Sequence, residues 1–116
     1  MTFKTIDRIT GFHAHIYFDA DSEGDAQAVR DAIDARFEVT LGRWHRRQVG
    51  PHTRWMYQVL FANELFASFV PWLTLNRRGL AILVHPESGD ALADHTDHAI
   101  WMGAVLDIKT DVLKNL

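Results

Sequence analysis

The sequence predicts a single α+β domain over residues 1–116, built as an antiparallel sheet with helices on one face. Three observations carry this. A seven-residue segment, Phe12–Phe18, alternates apolar and polar positions with a period of two. Ala26, Val29, Ile33 and Phe37 then follow at helical spacing. Beyond them the pattern runs strand, strand, helix, strand. A chain of 116 residues buries roughly 65% of its unfolded surface, enough for a core without staples.

Each element has its own warrant. In the first strand Phe12, Ala14, Ile16 and Phe18 share one face, and His13, His15 and Tyr17 share the other. Asp19–Ser22 supplies turn and capping chemistry for a helix from about Glu23 to Phe37. Glu38–His45 reads as a second strand, with Val39 and Leu41 on one face. Gly50-Pro51 marks a turn into a third strand, Trp55–Phe61. Asn63 can cap a second helix to about Asn76, which Pro71 should kink or split. Arg77-Arg78-Gly79 stops it, and Leu80–Val84 forms a fourth strand ended by His85-Pro86.

The order βαββαβ is that of the split βαβ, ferredoxin-like arrangement. It leaves one sheet face open, to be buried by the tail or by a second copy of the chain, with Leu83, Tyr57 and Trp55 as candidate occupants. The tail from Glu87 onward is expected to be a loop with a short strand around Ile100-Trp101-Met102.

Composition narrows the chemistry. There is no cysteine, so disulfides, iron–sulfur clusters and thiolate zinc sites are excluded, and a metal must be held by histidine and oxygen ligands. A net charge of −3 gives no footprint for nucleic acid. No apolar run approaches a membrane span, and Met1–Thr10 is too polar for a signal peptide, so a soluble cytoplasmic protein is expected. Phosphate loops, nucleophile elbows and dinucleotide fingerprints are missing.

The seven histidines are the informative residues. His13 and His15 leave the same face of a strand, with Cβ atoms roughly 7 Å apart, within reach of one metal ion. An ordinary polar sheet face explains a bare His-x-His equally well. His85, however, ends a strand that this topology sets beside the first, on the face of Leu83 and Ala81. His52, after Gly50-Pro51, is presented by a restricted turn. Tyr17 can supply a phenol near a substrate. His45 beside Arg43 fits a solvated edge, or a carboxylate-binding pair if the site faces that edge. His95 and His98 are three apart: on a helical turn they would share a face, and in a loop they could cap or shield the site.

These segments together resemble the DOPA 4,5-dioxygenase family of bacteria and fungi. The resemblance lies in Phe12-His-Ala-His-Ile-Tyr-Phe18, Gly50-Pro51-His52, Val84-His85-Pro86, Asp94-His95-Thr96 and Trp101-Met102-Gly103, in that order, from about residue 11 to 106. Thr53 departs from the pattern, since the family usually has proline there. That loosens the turn without removing His52. The resemblance implies a ferredoxin-like dimer that opens a catechol such as L-DOPA with O₂, extradiol, to a seco-DOPA muconic semialdehyde. It assigns His13, His15, His52 and His85 to metal binding and catalysis, with Fe(II) as the metal and Zn(II) able to occupy the same ligands. Tyr17, Arg43, His45 and His98 are the substrate-binding candidates.

The common iron site uses two histidines and a carboxylate. Glu87, Asp94 and Asp97 are the nearby acids, and a three-histidine site would also leave positions open. Two other readings stand beside this one: a zinc hydrolase or lyase on the same histidines, and a non-enzymatic dimer that binds a small aromatic molecule.

Overall fold

The computed structural model describes residues 2–114. Its strands are β1 (Phe12–Phe18), β2 (Thr40–Leu41), β3 (Trp55–Phe61), β4 (Ile82–Pro86) and β5 (Ile100–Met102). Its α-helices are α1 (Glu23–Arg36), α2 (Phe66–Asn76), α3 (Ala91–His95) and α4 (Thr110–Leu113). Among the described residues the strands form one sheet in the order β2-β3-β1-β4-β5, with every neighbouring pair antiparallel. The first four strands thus keep the split βαβ order, and β5 extends the sheet beyond β4.

Period two in β1 decides which side is core. Ala14, Ile16 and Phe18 are buried with Ala26, Val29 and Ile33 of α1 and with Phe69 and Leu73 of α2. Each fully buried Ile, Leu or Phe side chain contributes about 1.5–3 kcal/mol, so this layer dominates the stability. On the opposite face a smaller cluster forms around Tyr17, Met56 and Leu83, covered by Val49 from a loop and by Leu106 and Ile108 from the tail. The tail therefore covers part of the open face within one chain.

Several expectations are corrected. The second strand is far shorter than Glu38–His45. After Leu41 the edge continues only as a Gly42 N–H bond to the Gln58 carbonyl (2.7 Å) and an isolated bridge from His45 to Met56. A Cβ on Gly42 would stand 3.1 Å from that carbonyl oxygen, so a larger residue here would push the edge away by a few tenths of an ångström. The fourth strand is displaced by two residues, to Ile82–Pro86 rather than Leu80–Val84, so it takes in His85 and Pro86.

Asn63 does not cap α2; its side-chain amide donates to the Ile9 carbonyl (2.9 Å), and a 3₁₀ turn leads into the helix. Pro71 lies inside an unbroken α2. Tyr57 and Trp55 belong to the helix-side core rather than to the open face, because β3 pairs Tyr57 with Ile16 and Trp55 with Phe18. The Tyr57 hydroxyl donates to the Ala26 carbonyl at 3.0 Å. The two helices of the βαββαβ unit, α1 and α2, lie on one face as expected, while the tail adds a short helix, α3, that delivers a side chain to the opposite, histidine face. No helix among the described residues is long and apolar enough to cross a membrane.

Candidate functional site

Strand register assembles the site. In the β1–β4 pair His13 stands opposite His85, and His15 stands opposite Leu83. Residues opposed across an antiparallel pair project to the same face, so His13, His15, Tyr17 and His85 share one surface. The loop before β3 brings in His52, whose backbone bridges Ile108 of the tail. The short α3 then adds His95. Its ring centroid lies 4.1 Å from that of His85, and the ring of His52 lies 4.1 Å from that of His15.

Five imidazoles therefore meet on one side of the sheet. His15, His52 and His85 are buried, with 2%, 3% and 0% exposure, while His13 and His95 are half-buried. Two overlapping triads have ligand nitrogens all within 4.8 Å of one another: His13, His15 and His85, and His15, His52 and His95. Burial away from water disfavours the imidazolium, and it holds His13, His15, His52 and His85 toward the neutral form. It pushes His52 down to about 3 and His85 down to about 4, and it holds His15 well below its ordinary value, with neighbouring histidines adding to the effect. His13 is lowered by burial as well, against the pull of Glu87. Neutral imidazole is the form that ligates metals.

Hydrogen bonds fix which nitrogen faces the cluster. The His85 Nδ1–H donates to the Pro86 carbonyl (3.0 Å), and the His95 Nδ1–H donates to the Ala91 carbonyl (2.7 Å). Carbonyls only accept, so in both rings Nε2 is left as a lone pair. The His13 Nδ1–H faces Glu87 Oε1 at 3.3 Å, which has the same consequence. His15 Nε2 lies 3.0 Å from His85 Nε2 and donates to it, leaving His15 Nδ1 buried without a partner.

His52 differs. Its Nδ1 lies 2.7 Å from the buried Tyr17 hydroxyl, which has no other hydrogen-bond partner among the described residues. Burial pushes the Tyr17 phenol up, so it remains protonated, and leaving its O–H unpaired would cost about 1–3 kcal/mol. Tyr17 therefore donates, and the His52 proton sits on Nε2. The Tyr17 ring is itself held by stacking on Trp101 of β5, with centroids 5.9 Å apart.

The donor set fits a divalent transition-metal ion. It offers imidazoles whose ring nitrogens converge, with Nε2 lone pairs on His13 and His85 and acceptors behind those two rings, and an orphaned buried nitrogen on His15. No carboxylate belongs to either triad among the described residues. Asp94 is buried and committed elsewhere: it accepts from the Ser88 amide (2.9 Å), the Ser88 hydroxyl (2.6 Å) and His98 Nδ1–H (2.8 Å). Burial opposes its charge, but these bonds hold its carboxyl below the usual range. Glu87 stands behind His13 and His85, on their Nδ1 sides. Asp97 is exposed.

The remaining candidates are distributed differently. Tyr17 touches His52 rather than open space. His98 is tied to Asp94 and to Lys4 Nζ (3.2 Å), outside the five-ring cluster. His45 lies at the β2–β3 edge, opposite Met56 and close enough to help depress His52. Arg43 is exposed on that edge, with no ion pair among the described residues. His95 belongs to the cluster itself, whereas on the sequence alone it stood only as a residue that could cap or shield the site. Its signal was the Asp94-His95-Thr96 segment, which mattered only once α3 was folded over the sheet.

Comparison with known proteins finds relatives over most of the chain. An uncharacterized 21.2 kDa protein of Botryotinia fuckeliana is 38% identical over 117 residues, matching 90% of this chain and 64% of its own length. The DOPA 4,5-dioxygenase of Amanita muscaria is 36% identical over 119 residues, matching 89% of this chain and 52% of its own length. The chain thus spans roughly half to two-thirds of these relatives. The crystal structure of a candidate dioxygenase from Nostoc punctiforme is similar with a TM-score of 0.96 at 50% identity, covering 97% of this chain and 98% of that one. The model of the Dopa 4,5-dioxygenase family matches residues 12–112, and the chain belongs to that family.

Proposed function

We propose that the chain is an iron(II)-dependent extradiol dioxygenase that opens a catechol with O₂. The product is a ring-opened muconic semialdehyde, as L-DOPA would give seco-DOPA. The observation that carries this reading is the convergence of His13, His15 and His85, neutral and with acceptors behind two of the three rings. Family membership and the Amanita relative's name support it. Of the two triads this one is preferred, because His52 already holds a proton on Nε2 and engages Tyr17 through Nδ1. Iron(II) on three imidazoles would keep positions open for a catecholate and for dioxygen.

The protein's own groups then divide the proton work. His95 presents an Nε2 lone pair toward the cluster, because its Nδ1–H is held by the Ala91 carbonyl. It is suited to accept a catechol proton. His52 presents Nε2–H and is suited to donate a hydrogen bond to oxygen at the reacting centre. Tyr17 keeps that tautomer. The test is anaerobic loading with Fe(II), followed by oxygen and L-DOPA, with O₂ uptake and the visible spectrum recorded. Uptake with a coloured product, lost in His13→Ala and with Zn(II), supports the reading. Tight metal binding without uptake across several catechols contradicts it, and turnover supported by zinc and indifferent to oxygen would make it a hydrolase.

A further inference from the structure

We propose, resting on the reading of His13, His15 and His85 as the metal-holding triad, that Glu87 is the positioning residue of that centre: it orients His13 and supplies, from behind the rings, the negative charge that three imidazoles lack. The common iron site offsets part of the ion's charge with a carboxylate ligand. No carboxylate belongs to this triad among the described residues, so three neutral rings alone would leave a divalent ion uncompensated. Of the nearby acids, Asp94 is spent on Ser88 and His98, and Asp97 is exposed. Glu87 is the acid that reaches the triad among the described residues. Its Oε1 lies 3.3 Å from His13 Nδ1 and 3.7 Å from His85 Nδ1.

The strand ladder puts it there. The Glu87 N–H donates to the Gly11 carbonyl (2.8 Å), and the Glu87 carbonyl accepts from the Thr10 N–H (2.9 Å) and hydroxyl (3.2 Å). These bonds continue the β1–β4 pairing one step past Phe12 and Pro86. Side chains alternate along a strand, so Glu87 leaves the same face as His85, two residues before it. Its neighbour across the ladder is Gly11, which has no side chain to engage the carboxylate, and no lysine or arginine pairs with it among the described residues. The two rings depend on it unequally. The His85 Nδ1–H already has the Pro86 carbonyl at 3.0 Å, whereas Glu87 is the one acceptor facing His13 Nδ1 among the described residues. The carboxylate therefore sets the tautomer and orientation of His13, and acts on His85 by charge alone.

Two substitutions separate these roles. Glu87→Gln keeps an oxygen that can accept from His13 and removes the charge; Glu87→Ala removes both. The side chain is 43% exposed, so neither threatens folding, and urea midpoints should match the unsubstituted protein. Fe(II) affinity, measured anaerobically against a competing chelator, should fall about threefold in Glu87→Gln and about 10–100-fold in Glu87→Ala. The Fe(III)/Fe(II) potential should rise in both, because losing a negative charge costs the trivalent ion more. In the metal-free protein, nitrogen NMR should find the His13 proton on Nδ1 in the unsubstituted and Glu87→Gln proteins and shared between both nitrogens in Glu87→Ala, with His85 unchanged throughout. Fe(II) affinity that needs His13 but stays within about twofold in both Glu87 variants, with an unmoved potential, overturns the proposal and leaves the histidine centre standing. Equal losses in the two variants with an unmoved potential mark a packing role and overturn it as well. If His13→Ala binds Fe(II) as tightly as the unsubstituted protein, the triad reading itself fails, and the proposal fails with it.

Discussion

Acidifying the metal-free protein from pH 7 to pH 5.5 should lower its stability by about 4 kcal/mol, and the number follows from three buried rings. His15, His52 and His85 are each less than 5% exposed, and burial holds all three far below their ordinary values. In the unfolded chain each takes up a proton near pH 6.5. Between pH 6.5 and about 4 the unfolded state therefore binds more protons than the folded one, and stability falls as pH falls. Each ring contributes about 1.3 kcal/mol over this interval, because the unfolded form is largely protonated by pH 5.5 and the folded form is not. Asp94, whose carboxyl is held low, loses its contribution only at more acidic pH and stays out of this window. Urea titration at the two pH values reads the effect directly: with a slope of about 2 kcal/mol per M, the midpoint should drop by about 2 M. His85→Gln should remove about a third of the drop. A midpoint that moves by less than about 0.5 M, or that rises in acid, would show that the rings protonate within the fold.

Three further substitutions probe other parts of the account. Tyr17→Phe frees His52 from its fixed tautomer, so catechol turnover should fall about tenfold while Fe(II) affinity, measured by anaerobic titration, stays within about twofold. Asp94→Asn replaces an acceptor of three hydrogen bonds by a group that cannot accept them all; it should cost about 2–4 kcal/mol in urea unfolding and loosen α3, with His95 becoming accessible to diethyl pyrocarbonate. Gly103 follows β5 with φ +81°, and a Cβ there would meet the Arg77 guanidinium and, at 3.3 Å, the Leu80 carbonyl oxygen. Gly103→Ala should therefore destabilise by about 1–2 kcal/mol on the same assay.

Much of this was legible in the sequence because the sheet has a period of two. His13 and His15 had to share a face, and the split βαβ order had to set His85 beside them; β1 and β4 pair in that register. Tyr57 was harder to assign. Its neighbours Trp55, Val59 and Phe61 also share its face, and pairing of Tyr57 with Ile16 settles that face as the helix-side core. The short β2 left no pattern strong enough to set its ends, because an edge strand needs few paired residues and Gly42 contributes no side chain. His95 was illegible for a different reason. It reaches the cluster from a five-residue helix that Ser88, Asp94 and His98 hold by side-chain hydrogen bonds, and no periodicity in the sequence encodes that placement. Likewise, that Tyr17 would serve His52 rather than a substrate depends on how the loop before β3 folds back across the sheet.

The most direct test of the central claim is turnover under ¹⁸O₂ by the Fe(II)-loaded protein with a catechol, reducing the product aldehyde at once to prevent exchange with water. The account predicts two labelled oxygens in one ring-opened molecule, one in the new carboxylate and one in the alcohol derived from the aldehyde, with no labelled product from the His85→Ala protein. A product bearing a single label, or oxygen drawn only from water, would contradict it.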